Sequence, residues 1–257
     1  MEILACVKRV PMVGGKIVVT PDGQDVDTRM SGFTVSPHEE CAVEEAVQIV
    51  ERLGGSVTVL TLGPAEAADQ LRDMLALGAG HALLLETDGR EWGPVATAEA
   101  IAEAARRRGE GPEGGFDLLL FGNEAADTGD YQVPVRVAHA LGLPCVTAIK
   151  NLEIDSPVRA RARREYRGVE EIFEIPLPAV VSVKEGINLP RYPSLPGRLR
   201  AKRAVIDRFE PQWRAEGLAK QELRVPAGQQ KRAQILGTGT DAVPALVRLL
   251  DELGVLS

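Results

Sequence analysis

Apolar and polar positions come in alternating blocks over the first 150 residues. The run EILACVK at 2–8 is short and apolar, which predicts a buried strand. KIVVTPDGQDVD at 16–27 has an apolar run, a Pro-Asp-Gly turn and a second short run, which predicts a hairpin-like excursion. SPHEECAVEEAVQIVERLGG at 36–55 has a helical period. Ser36 can cap it, Pro37 suits its first turn, Glu39 lies three residues past the cap, and Gly54 and Gly55 end it. Its apolar stripe is Ala42, Val43, Ala46, Val47 and Val50, with Glu44 and Glu45 read as its solvated face. SVTVLTL, HALLLET, FDLLLFG and PCVTAI predict four further strands. Between them lie helices over about 64–77, 94–108 and 131–141, and a mobile loop, GEGPEGG, at 109–115. Continuous apolar strands separated by amphipathic helices make a parallel sheet covered on both faces.

The period changes after Lys150. NLEIDSPVRARARREYRGVEEIFEIP alternates with period two and predicts added antiparallel strands, and LPAVVSV returns to the core as a buried strand. From Val205 the apolar pattern fades into polar chain broken by Pro and Gly, closed by the short helix DAVPALVRLLDELG. Such a tail cannot bury itself alone and suits a disordered segment or one wrapped on a partner. The fold class is therefore α/β: a mostly parallel, doubly wound, Rossmann-like sheet with helices on both faces, an added antiparallel hairpin and an extended C-terminal arm. The expected division is an α/β domain over 1–204 and the arm over 205–257.

Composition narrows the function. A formal charge of −7 argues against general nucleic-acid binding. The basic stretch Arg198–Arg203 is local and reads equally as a solvated helix face or a contact surface. No apolar run reaches the roughly 20 residues that cross a bilayer, and MEILACVKRV is charged too early for a signal peptide, so the expected compartment is the cytoplasm. Cys6, Cys41 and Cys145 are scattered, and His38, His81 and His139 have no metal-ligand spacing, so no metal site is expected. No nucleophile–base arrangement stands out, and no catalytic residue is assigned.

In a doubly wound sheet, ligands sit at the carboxyl ends of the strands. Here those ends are Cys6–Lys8, 61–63 and 121–123. The last runs into FGNEAADTGDYQV, where small and polar residues precede a helix starting near Asp130; Asp127, Thr128 and Gly129 supply tight-turn geometry. Backbone N–H groups at such a turn can cradle a phosphate. An ordinary capped βα loop accounts for the same residues. Neither the Rossmann nor the P-loop glycine pattern is present. Helix starts at Ser36, at Gly63-Pro64 and after Gly122 are expected to converge on one crevice and to suit an adenine nucleotide.

Taken in order, VKRVP, SPHEECAVEEAV, LGPAEA, FGNEAADTGDYQV, LPAVVSV and LPRYPSLPGRLRAKR resemble the β subunit of electron transfer flavoprotein over nearly the whole chain. The resemblance implies a heterodimer with an α subunit that holds most of a redox-active FAD, while the β subunit buries an AMP. It places the AMP site at Cys6, Ser36, Pro37, His38, Glu39, Leu62 and the run Gly122, Asn123, Glu124, Ala125, Ala126, Asp127, Thr128, Gly129, Asp130, Tyr131, Gln132 and Val133. Ser36 departs from the asparagine of many members. The resemblance makes 188–203 a recognition loop, with Leu195 as an anchor for partner dehydrogenases, assisted by Arg191, Tyr192 and Pro196. Glu165 matches an acidic residue that orients the flavin domain. The implied electron path runs from acyl-CoA or related dehydrogenases of fatty acid oxidation, through FAD, to a membrane quinone oxidoreductase and the respiratory chain. Neither nucleic-acid binding nor direct membrane insertion is implied. Two other readings stand beside it: an electron-bifurcating member with a second FAD in the AMP crevice, and a stand-alone adenine-nucleotide protein of the universal-stress type.

Overall fold

A computed structural model of the chain describes residues 1–12, 17–110, 114–215, 217, 220–226 and 235–256. The expected loop over 109–115 and the polar tail lie partly outside these residues. The elements are β1 (Glu2–Cys6), β2 (Val10–Pro11), β3 (Phe33–Thr34), α1 (Pro37–Leu53), β4 (Ser56–Gly63), α2 (Ala68–Leu77), β5 (His81–Glu86), α3 (Pro94–Gly109), β6 (Leu118–Gly122) and α4 (Val133–Leu141). They continue with β7 (Cys145–Ile149), β8 (Asn151–Ser156), β9 (Arg159–Tyr166), β10 (Val169–Pro176), β11 (Ala179–Val183), α5 (Leu195–Arg203), β12 (Asp207–Phe209) and α6 (Val243–Glu252). Seven strands form one sheet in the order β12-β5-β4-β1-β6-β11-β7, and every neighbouring pair in it is parallel.

Each central strand alternates its side chains between two separate cores. Ile3, Ala5, Val57, Val59, Leu118, Leu120 and Val181 face one, which α1 and α2 close with Val43, Val47, Ile49, Leu71 and Leu75. Leu4, Cys6, Leu60, Leu119, Phe121 and Val180 face the other, closed by α3 and α4 with Ile101, Ala104, Val137 and Ala138. That is why these strands read as unbroken apolar runs rather than alternating ones. Leu118, Leu119 and Leu120 are at most 2% exposed, and burying each such side chain stabilises the fold by roughly 1.5–3 kcal/mol.

The antiparallel addition has three strands, β10-β9-β8, and forms its own sheet rather than extending the central one. Its edge faces are polar: Arg164 of β9 pairs with Glu171 of β10 at 2.7 Å. The excursion after β2 does turn at Pro21–Gly23, with Gly23 at φ 68 and a bridge between Val19 and Val26. Beyond Ala204 the chain adds β12 to the sheet edge beside β5. Trp213 Nε1 then donates to Glu91 O at 3.1 Å. Helix α6 buries none of its side chains in this chain and exposes Val243, Leu246 and Val247. Among the described residues no helix is long and apolar enough to cross a membrane.

Candidate functional site

The strand order reverses at β1: β4 and β5 lie to one side of it, β6 and β11 to the other. A crevice opens where the carboxyl ends of β1 and β6 diverge, as expected for this topology. Counted out into the open solvent at its mouth, its space is about 820 Å³. Its floor is Cys6, Leu60, Leu62 and Phe121, and its walls are Trp92, Pro94, Thr97 and Ile101 on one side and Gly122, Asn123, Ala125, Thr128 and residues 130–134 on the other.

Short hydrogen bonds fix the loop after β6. Asn123 N donates to Val183 O at 2.8 Å, and Ser182 Oγ donates to Asn123 Oδ1 at 3.0 Å. Ala126 N donates to Ser36 Oγ at 2.9 Å, so the residue before α1 holds the loop. Gly129 and Tyr131 both take positive φ, near 58, and this sharp turn delays the start of α4 to Val133. Gly122 permits the closest approach. A Cβ there would stand 2.8 Å from Glu39 N and 2.5 Å from Glu39 Cγ.

Of the expected site residues, Cys6, Glu39, Leu62, Gly122, Asn123, Ala125, Thr128, Asp130, Tyr131, Gln132 and Val133 line the crevice. Ser36, Asp127, Ala126, Glu124 and Gly129 stand behind that lining as parts of the same loop or its supports, and Pro37 and His38 open α1 beside it. Gly63 and Pro64 do not line it. The helix that follows them, α2, shares its core with α1, but its start is not part of the crevice lining. The start of α3 takes its place. Sequence reasoning passed over Trp92, Pro94 and Thr97, although the Gly93-Pro94 pair ahead of a periodic helix was a usable signal.

The charges in the crevice are few. Lys8 Nζ lies 2.8 Å from Asp127 Oδ2 and 3.3 Å from Thr128 Oγ1. Cys6 is buried, and burial together with the nearby Glu39 pushes its thiol well up, so it stays protonated. Burial pushes the Glu39 carboxyl up to about 8, against the Lys8 and Ser36 backbone N–H groups, which favour the ion. An unburied glutamate titrates at 4.5. The folded chain therefore holds an extra proton between that value and about 8, and this group's contribution to stability falls as pH rises through the window. Glu39→Gln removes that contribution. Its melting temperature should drop less than that of wild type between about pH 5.5 and about pH 8.5, as read by differential scanning calorimetry; equal drops would refute the assignment.

The segment 188–203 sits on the far side of α1. Arg191 donates from Nε to Glu44 Oε2 at 2.9 Å and from Nη1 to Glu51 Oε1 at 2.6 Å. Glu44 is 2% exposed, so its reading as solvated helix face is corrected: the Arg191 guanidinium covers it. Glu45 likewise accepts from Asn188 Nδ2 at 2.9 Å. Arg191 is thereby engaged within its own chain. The basic stretch forms α5, capped by Ser194, whose Oγ accepts from Gly197 N at 3.1 Å. Gly197 presses on α2, where a Cβ would stand 2.6 Å from Ala76 O. Leu195 opens this helix at 72% exposure, with Leu189 and Tyr192 also exposed and Pro196 in its first turn. Glu165 is exposed on β9, directly across from Glu170.

Comparison with known proteins shows the family. The model of the electron transfer flavoprotein domain matches residues 26–212. The electron transfer flavoprotein subunit beta of Bacillus subtilis is 34% identical over 82% of this chain and 79% of its own length. That of Syntrophomonas wolfei is 37% identical over 80% and 78%, and that of Bradyrhizobium diazoefficiens is 29% identical over the full length of both. The chain belongs to the electron transfer flavoprotein family, among its β-subunit relatives.

Proposed function

We propose that this chain is the β subunit of a heterodimeric electron transfer flavoprotein. In this reading it seats AMP in the switch-point crevice, shares in presenting an FAD held mainly by an α subunit, and docks dehydrogenases through Leu195. It works in the cytoplasm as an electron carrier and has no catalytic residues of its own. Electrons pass from acyl-CoA or related dehydrogenases to the flavin and on to a membrane quinone oxidoreductase. The observation that carries the reading is the crevice itself, in which eleven of the residues expected for an adenylate share one lining.

The residues present fit such a ligand. Leu60, Leu62, Phe121 and Ile101 offer apolar surface to a purine, while Lys8, Thr128, Asp130 and Gln132 offer polar groups to a sugar and phosphate. Trp92 Nε1 is buried without an acceptor, and an indole N–H can only donate. A purine or ribose acceptor would satisfy it. Trp92→Phe is expected to weaken AMP binding about tenfold, the worth of one hydrogen bond. It should also abolish the change in tryptophan emission that AMP causes. An unaltered affinity would remove Trp92 from the site.

FAD would bring the redox chemistry of the complex. This chain supplies surfaces: Glu165 on the antiparallel sheet to orient the flavin domain, and the arm beyond Ala204, ending in the unburied apolar stripe of α6, to embrace the α subunit. Native mass spectrometry of the chain co-expressed with its α subunit tests the whole reading. One FAD and one AMP per heterodimer supports it. Two FAD would mean the electron-bifurcating arrangement, and a homodimer loaded with ATP would mean a stand-alone nucleotide protein; either result overturns it.

A further inference from the structure

We propose that Lys8 is the counter-charge for the phosphate of the nucleotide, and that Asp127 is a resting latch which the phosphate displaces from it. The inference rests on the crevice being a nucleotide site. It adds a residue outside the expected set and a mechanism of exchange.

The charge inventory carries it. Among the described residues lining the crevice, Lys8 is the one cation, set against Asp130, while burial keeps the Glu39 carboxyl protonated at neutral pH. The neighbouring basic groups are committed elsewhere. Arg9 lies over the Phe33 ring, 3.2 Å from its centroid, and Arg136 donates to Gln132 Oε1 at 2.8 Å. Among the described lining residues, a phosphate monoester entering this cleft therefore meets Lys8 or no positive side chain.

The geometry makes that meeting an exchange. Lys8 follows β1 and Asp127 follows β6, so their 2.8 Å ion pair ties together the two strand ends that form the crevice. Asp127 Oδ1 also accepts from Thr128 N at 2.8 Å, which holds the carboxylate toward the loop when the ammonium leaves it. The Lys8 side chain is 41% exposed, so its flexible stem has room to swing its ammonium to a new anion. The Thr128 hydroxyl, 3.3 Å from Nζ, is a second polar group at the same point. Exchanging a carboxylate for a phosphate keeps the lysine paired before and after binding, and leaves the Asp127 carboxylate on the Thr128 N–H.

The test is isothermal titration of the full chain with AMP and with adenosine. For wild type, AMP should bind more tightly than adenosine. In Lys8→Met, AMP affinity should fall about ten- to hundredfold, the effect of losing a charge-assisted hydrogen bond. Adenosine affinity should stay within about twofold, which also shows that the crevice is intact. Lys8→Arg should recover most of the AMP preference. Asp127→Asn, which removes the competitor, should tighten AMP binding. If Lys8→Met loses AMP and adenosine equally, or leaves AMP unchanged, Lys8 is not the counter-charge. If Asp127→Asn weakens AMP as Lys8→Met does, Asp127 positions the lysine and the exchange is wrong. If wild type binds neither ligand, the nucleotide reading of the crevice falls and this inference with it.

Discussion

Leu195→Ala is expected to lower the efficiency of electron delivery from a partner dehydrogenase by about ten- to hundredfold. That range corresponds to roughly 1.5–3 kcal/mol for one leucine taken out of water. The loss should appear in KM rather than in the limiting rate, because in the proposed docking the side chain meets the partner and not the flavin. Stability should hardly change, since Leu195 is already 72% exposed in this chain. Nucleotide content should not change either, because Leu195 is not part of the crevice lining. The surroundings make the leucine a stiff projection. Arg191 clamps the segment to Glu44 and Glu51, Ser194 caps the helix, and Gly197 rests on Ala76. Little freedom is left to lose on docking, and that lowers the entropic cost of the contact. Stopped-flow reduction of the reconstituted heterodimer by a dehydrogenase measures the effect. An unchanged KM would remove Leu195 from the docking surface.

Gly122→Ala should damage both fold and site with a single methyl. The added carbon meets Glu39 N at 2.8 Å, Glu39 Cγ at 2.5 Å and the His38 carbonyl carbon at 3.1 Å. Two of these are backbone atoms of the first turn of α1, so no rotamer change relieves the clash. Either α1 backs away from the end of β6 or the strand bends. Overpacking of this kind costs about 1–3 kcal/mol, equivalent to a melting temperature roughly 2–12 °C lower for a chain of this size. The same shift pulls Ser36 Oγ from Ala126 N, now 2.9 Å apart, and loosens the loop that walls the crevice. AMP affinity should fall by at least about tenfold, more than the stability change alone explains. Calorimetric melting and AMP titration of the same preparation check both effects. A variant that melts and binds like wild type would show that α1 and β6 are not in such close register.

The alternation of apolar strands with amphipathic helices was enough to identify a parallel α/β sheet, because residues 3–7, 57–60 and 118–121 carry apolar side chains to both faces. The cap at Ser36, the turn at Gly129 and the exposed tail were legible for the same reason: each is set by neighbours within a few positions. The ordered motifs also carried the family, and with it most of the crevice lining and the choice of Leu195.

Other features were decided only when distant segments met. Glu44 has the sequence context of a solvated helix face, and the arginine that covers it lies 147 residues away. The Gly63-Pro64 helix start looked like part of the site, but the crevice lining takes in the start of α3 instead. Trp92 and Lys8 gain their places because the strand order reverses at β1. Local pattern records which side chains must leave water and with what period. Which buried faces meet, and which charge ends up beside which, follows from packing among residues about a hundred positions apart, and no short window of sequence contains it.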